Sequence, residues 1–309
     1  MMLWIKLLLS ALLLGYLIWS LDLSAMFALL KTADWSLVLA ALLCLIIGQF
    51  FSALRWAWLA RGLGLSVQLA RKLQLYFLGM FLSLFLPSIV GGDVARGYLL
   101  AKDRENAGWP AAASVILERV NGVVALATVV SFCMFFLDIP ALWIWLWNGG
   151  VLLGFAILFT TKLWWPKLQR SAWQGRLSGW KTLPLTSRAF STAWWRSLPL
   201  SLIFQLLVVQ AHVFLGAAVG LELSWFAYGF MICLVALASA LPLSFNGLGI
   251  REAGYVGFAV WFGASGEAAA AMAALWIIVL ITASLPGGIV LWQLGGTKIL
   301  KRDQSGRGC

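Results

Sequence analysis

Seven apolar stretches in this chain, at 3–21, 37–59, 113–136, 141–160, 198–219, 225–243 and 268–293, are each about as long as a bilayer is thick. A helix needs roughly 20 residues to cross the hydrocarbon. Two further apolar segments, 73–90 and 244–262, are interrupted or bounded by a polar break. The mean hydropathy is +0.94, and only 11% of the residues are charged. No water-soluble core needs that much apolar sequence. The pattern predicts an all-α fold, a polytopic transmembrane helical bundle of about eight crossings with one or two re-entrant or broken helices. Residues 3–21 read as a retained first helix, because the basic n-region is weak and no clean small-residue cleavage site follows. Residues 1–296 form the membrane domain and 297–309 a short basic tail.

Loop charge predicts orientation. The 61–72 loop carries Arg61, Arg71 and Lys72 without an acid. The 161–197 loop carries Lys162, Lys167, Arg170, Arg176, Lys181, Arg188 and Arg196, again without one. With the basic tail, these loops are expected on the cytoplasmic side, and so are both termini. The loops at 137–140, 220–224 and 263–267 lack Lys and Arg and are expected outside. The excess of 22 Lys+Arg over 11 Asp+Glu is explained by this asymmetry and implies no nucleic-acid partner. Trp164, Trp165, Trp173, Trp180, Trp194 and Trp195 alternate with the basic residues of the 161–197 loop. Such a mixture suits a segment on an anionic leaflet. Pro184 and Pro199 argue against one continuous surface helix there.

The loop assignment creates a parity conflict. Three apolar segments, 73–90, 113–136 and 141–160, separate two loops expected on the same side. The 91–112 stretch, with Arg96, Lys102, Asp103, Arg104, Glu105 and Pro110, is a poor crossing. A re-entrant hairpin ending near Pro87–Asp93 resolves the conflict. Residues 244–262 are expected to cross fully.

Two breaks share a composition. Pro87, Gly91, Gly92, Asp93 and Arg96 form the first; Pro242, Ser244, Asn246, Gly247, Gly249, Arg251 and Glu252 form the second. Their likeness, one in each half, hints at an internal repeat, and transporters build substrate sites from such broken helices. Adjacent glycines expose backbone N–H groups. Asp93 is expected to cap a helix starting after it, with Arg96 one turn on as its partner. A guanidinium fork matches phosphate oxygens, so Arg96 and Arg251 are the candidate headgroup contacts, with Glu252 holding Arg251. Glu118 and Arg119 lie inside an apolar run. Consecutive positions face different ways, so one of them is expected to meet an arginine from another segment.

The single histidine, His212, sits beside Gln205 and Gln210 on an apolar span and reads as a packed, hydrogen-bonded side chain. One histidine and four cysteines without CxxC spacing imply no metal site and no disulfide framework. No phosphate-binding glycine loop for a nucleotide is visible. Cofactors are not expected, and neither is enzymatic activity.

Three motifs together resemble the lysylphosphatidylglycerol synthase transmembrane region: P-x-x-x-G-G-D-x-x-R at 87–96, E-R-x-x-G at 118–122 and L-P-x-S-x-x-G-x-G-x-R-E at 241–252. The resemblance extends over roughly 5–295. It implies a flippase-like module in a bacterial inner membrane, here without the soluble aminoacyltransferase domain of the large family members. The implied partners are a membrane phospholipid or lipid-linked substrate. A non-transporting regulator or scaffold of a lipid or envelope-polysaccharide synthase is the alternative, with such an enzyme as partner.

Overall fold

The computed structural model describes residues 2–66, 68–85, 91–102, 107–170, 180, 182–240 and 247–294. Pro87, Pro242, Ser244, Asn246 and the tail therefore lie outside the described residues. Twelve α-helices account for nearly all of the described chain. They are α1 (Met2–Ser20), α2 (Leu23–Lys31), α3 (Trp35–Gly62), α4 (Leu69–Phe85), α5 (Gly91–Lys102) and α6 (Gly108–Met134), then α7 (Ala141–Phe159), α8 (Thr161–Arg170), α9 (Arg188–Ala218), α10 (Trp225–Ala240), α11 (Ile250–Trp261) and α12 (Gly266–Gln293).

The helices α3, α6, α7, α9 and α12 are each long and apolar enough to cross a membrane alone. Residues Ser10–Ser20 of α1 with α2 make a sixth candidate, bent by 86°. Asp22 sits in that bend and accepts from the Ser24 and Ala25 amides, which starts α2. Asp34 caps α3 in the same way through Ser36.

In lipid, close helix packing relies on small residues rather than on the hydrophobic effect. α3 and α9 run antiparallel on this principle. A Cβ at Gly48 would lie 3.1 Å from the Phe204 ring, and one at Gly62 would lie 2.9 Å from the Ala193 Cβ. α6 packs antiparallel to α3, with Arg55 on Glu118 and Trp56 on Ser114.

These pairings sort the helix ends. One end gathers Leu63, Leu65, Ala107, Ala111, Leu183, Phe190 and Leu294. It carries Arg61, Lys72, Lys102, Lys162, Arg188 and Arg196. The other end gathers Leu17, Ala33, Met134, Ile139, Ala218 and Leu221. It carries Asp22, Asp34, Asp138, Glu222 and Glu267, with Lys31.

α4 and α5 form an antiparallel hairpin. A Cβ at Gly92 would overlap Gly79 O and Ser83 Oγ, so the two backbones touch there. α4 starts at the basic end, where Lys72 Nζ donates to Ala57 O and Leu65 O at 3.2 Å each. α5 returns to that end, where Leu99 and Leu100 pack with Leu65 and Ala107. The 12 residues of α5 span only about 18 Å, short of the ~30 Å hydrocarbon.

The 225–262 stretch departs from expectation. Read as two crossings, it instead forms a second antiparallel hairpin. Gly254 lies against Val235, and Phe230 contacts the rings of Phe258, Trp261 and Phe262. α11 has 12 residues, again about 18 Å, so it cannot cross alone. Both of its ends lie toward the acidic end of the bundle or mid-depth, because α10 begins just after Leu221 and α11 ends just before α12. The two hairpins therefore enter from opposite ends.

The 161–197 region also differs from a plain loop. α8 occupies its start, and α9 begins at Arg188, ten residues before the expected span. Pro199 lies inside α9 without ending it.

Candidate functional site

The first hairpin tip is held by a buried ion-pair network. Glu118 on α6 is 2% exposed. Its Oε1 accepts from Arg55 Nη2 of α3 at 2.7 Å, and its Oε2 accepts from Arg96 Nη2 of α5 at 2.5 Å. Arg96 also meets Asp93 at 2.9 Å, one helical turn back. Asp93 in turn pairs with Arg119, the residue after Glu118. Adjacent residues of α6 thus face different partners, as the helical geometry requires.

Aromatic and hydroxyl groups complete this cluster. The Arg96 guanidinium stacks 4.8 Å from both the Trp56 and Tyr76 rings. Tyr76 Oη and Ser52 Oγ are 2.7 Å apart. Arg55 continues the network through Nη1 to Ser201 at 3.1 Å, and Ser201 reaches Asn121. Asn121 donates to Ser197 Oγ at 3.1 Å. Five helices, α3, α4, α5, α6 and α9, are tied together by groups that would be costly to bury singly.

Asp93 does not play the expected capping role. α5 begins at Gly91, two residues before Asp93, and the carboxylate is turned to Arg96 and Arg119. Its charge still lies in the first helical turn, where the helix dipole favours it.

The second tip is organised locally. Glu252 Oε2 accepts from the Gly249 amide at 2.7 Å, which caps α11. Its Oε1 accepts from Arg251 Nε and Nη2 at 3.2 and 3.1 Å. Gly249 has φ 83°, a value that favours glycine, and its Cα faces Ser10 and Leu13 of α1.

Both tips open onto one cavity of about 460 Å³. Asp93, Arg96 and Arg119 line it from the first hairpin side, and Gly247, Arg251 and Tyr255 from the second. Ser83, Ser239, Gln49 and His212 complete its polar wall. Glu118 and Glu252 stand behind the arginines rather than in the wall. Arg96 Nε and Nη1, His212 Nε2 and Ser239 Oγ have no hydrogen-bond partner among the described residues. The size falls within the usual range for small-molecule sites.

His212 is packed and hydrogen-bonded, as the sequence suggests. Nδ1 lies 2.8 Å from Val208 O, and a carbonyl only accepts, so Nδ1 carries the proton. Tyr255 and Trp276 pack on the ring at 5.4 and 4.0 Å between centroids. Ser52, Arg55, Tyr76 and Ser239 escape sequence reasoning. Arg55 offers a signal in retrospect, being a cation well inside an apolar run; the hydroxyls offer none.

A family model for the lysylphosphatidylglycerol synthase TM region matches residues 3–287, which spans both hairpins and the whole ion-pair network. The chain belongs to that family. Comparison with curated proteins finds no match. As a member of this family the chain is a multi-pass membrane protein, and the matched region is the membrane part that gives the family its name.

Proposed function

We propose that this family member binds an anionic or modified phospholipid by its headgroup and translocates it across a bacterial inner membrane. The observation that carries this reading is the convergence of two short hairpins, entering from opposite ends, on one polar cavity. Opposed broken elements meeting at mid-depth are how many transporters expose one site to either side in turn. Ionisable groups at that depth are expensive and mark substrate paths. Arg96, Arg119 and Arg251 would meet the phosphate, while Asp93, Glu118 and Glu252 hold them. Gly92, in the first turn of α5, lets α4 come close, and Gly247 and Gly249, both at positive φ, turn the chain into α11. The basic end, with Arg61, Lys72 and Arg196, would face the cytoplasm.

The geometry supports transport over hydrolysis. Each of the three carboxylates is engaged by an arginine, so none stands ready as a general acid or base.

The test uses sealed vesicles containing the purified protein and a phospholipid fluorescent on its headgroup, with an impermeant quencher outside. Phosphatidylglycerol and lysyl-phosphatidylglycerol are the probes. Quenching of the inner-leaflet signal should be faster than in protein-free vesicles for at least one of them. It should slow with Arg251→Gln. Rates equal to empty vesicles for both probes would remove the translocase reading and favour the regulator of a lipid-synthesis enzyme.

A further inference from the structure

A second set of cations lies far from the central cavity. At the basic end, where α3 finishes and α9 starts, Trp58, Arg61, Gly62, Ala189, Thr192 and Arg196 surround a recess of about 360 Å³. Ala193 also lines it, and a Cβ at Gly62 would lie 2.9 Å from the Ala193 Cβ, so the two helices approach closely there. Arg61 and Arg196 are both exposed, and neither has a carboxylate partner among the described residues. Arg61 also borders a neighbouring recess with Lys72 on the other side of Trp58. Arg61 and Arg196 thus share one recess, and no acid borders it among the described residues, while Lys72 is already held by the Ala57 and Leu65 carbonyls. Like charges held together in this way repel unless an anion sits between them.

Depth points to the anion. α9 has 31 residues and is about 46 Å long, so it overshoots the ~30 Å hydrocarbon. Its first turns, which carry Arg196 and Thr192, reach the headgroup layer, where tryptophan is also favoured. Two arginines lining one recess there suit a phosphodiester, which a guanidinium can meet with two parallel hydrogen bonds.

We propose that this recess binds the phosphate of an anionic phospholipid as a resident lipid, separate from any lipid handled in the central cavity. The lipid would bridge α3 and α9 and neutralise Arg61 and Arg196 together. The assignment does not depend on translocation.

The test is native mass spectrometry of the protein released from nanodiscs of equal phosphatidylglycerol and phosphatidylcholine. Wild type should retain phosphatidylglycerol preferentially. Each of Arg61→Gln and Arg196→Gln should weaken that retention about fivefold, the effect of roughly one basic residue near an anionic lipid. Arg61→Lys should fall between wild type and Arg61→Gln, because charge remains but the planar fork is lost. Lys162→Gln, an exposed α8 cation outside the recess, should change nothing. Equal losses in all the Gln variants would reduce the effect to a general basic edge and overturn the proposal. So would unchanged retention in Arg61→Gln and Arg196→Gln. A second arm offers inorganic phosphate to protein in phosphatidylcholine-only nanodiscs. Retained phosphate lost in Arg61→Gln would reassign the recess to a soluble anion and overturn the lipid assignment; no retained phosphate is expected. Matching thermal melting curves establish that each variant is folded.

Discussion

Arg96 and Glu118, twenty-two residues apart, meet at 2.5 Å with both side chains almost fully buried. This contact fastens the tip of the first hairpin to the long helix α6. Glu118 also receives Arg55 on its other oxygen, so one carboxylate offsets two guanidiniums. Replacing it leaves both cations buried and under-compensated. Glu118→Gln keeps the shape and should cost about 3–5 kcal/mol of stability. Arg119→Gln should cost under about 1 kcal/mol, because its side chain is 42% exposed. Thermal unfolding in detergent ranks the two. Equal losses would mean that the network is not the fastening.

The hairpin itself depends on contact between two glycines. A methyl group at Gly92 would overlap the backbone oxygen of Gly79, which cannot rotate away. Gly92→Ala should destabilise by about 2–3 kcal/mol, the upper range for overpacking. Gly79→Ala should cost less, since its Cβ would sit 3.0 Å from Gly92 O. Gly97→Ala meets the Val115 methyl at 3.4 Å and Ala111 O at 3.9 Å, ordinary contacts, and should be neutral or stabilising by up to about 1 kcal/mol, through helix propensity. Melting temperatures in the order Gly97→Ala, Gly79→Ala, Gly92→Ala, highest first, are the expected result.

Much of this was readable in one dimension, and the limits have physical causes. Apolar runs of bilayer length located α3, α6, α7, α9 and α12, because span length is set by the solvent rather than by partners. Loop parity exposed a first hairpin, but placed its end near Pro87–Asp93, whereas its return arm is α5, Gly91–Lys102. The i,i+3 spacing exposed Asp93 with Arg96. Parity could not expose the second hairpin, since two crossings and one hairpin both return the chain to the same side. Only the 12-residue length of α11 distinguishes them. The start of α9 was hidden for a different reason. Arg188 and Arg196 among tryptophans lower the local hydropathy, yet Ser187 accepts from the Phe190 amide and starts a helix there. Arg55, Tyr76 and Ser201 join the network through contacts spanning 24 to 146 residues, which no local pattern encodes.

The second tip makes a separate test of backbone geometry. Gly249 has φ 83°, and a Cβ there would lie 3.0 Å from Leu13 and 3.1 Å from Ser10 O. Gly249→Ala should therefore cost about 1–3 kcal/mol from strain. Gly257, about two helical turns further on, has nothing within 4 Å. Gly257→Ala should be neutral or gain up to about 1 kcal/mol. Thermal unfolding of the two variants side by side separates backbone strain at the tip from a general intolerance of α11 to alanine.

Orientation and the first hairpin can be tested together by cysteine labelling. Cys44, Cys133, Cys233 and Cys309 are first replaced by serine or alanine, and single cysteines are placed at Arg61, Lys102, Asp138 and Glu222. Arg61, in the last turn of α3, and Lys102, in the last turn of α5, lie at one end of the bundle, and Asp138 and Glu222 lie at the other. An impermeant maleimide should label Asp138→Cys and Glu222→Cys in intact cells. Arg61→Cys and Lys102→Cys should label only after the membrane is opened, because the basic end is retained inside. The reverse pattern would invert the protein while keeping the hairpin. Labelling of Lys102→Cys on the side opposite Arg61→Cys would break the hairpin itself, since α4 and α5 would then have to cross, and a 12-residue helix is too short to complete that crossing.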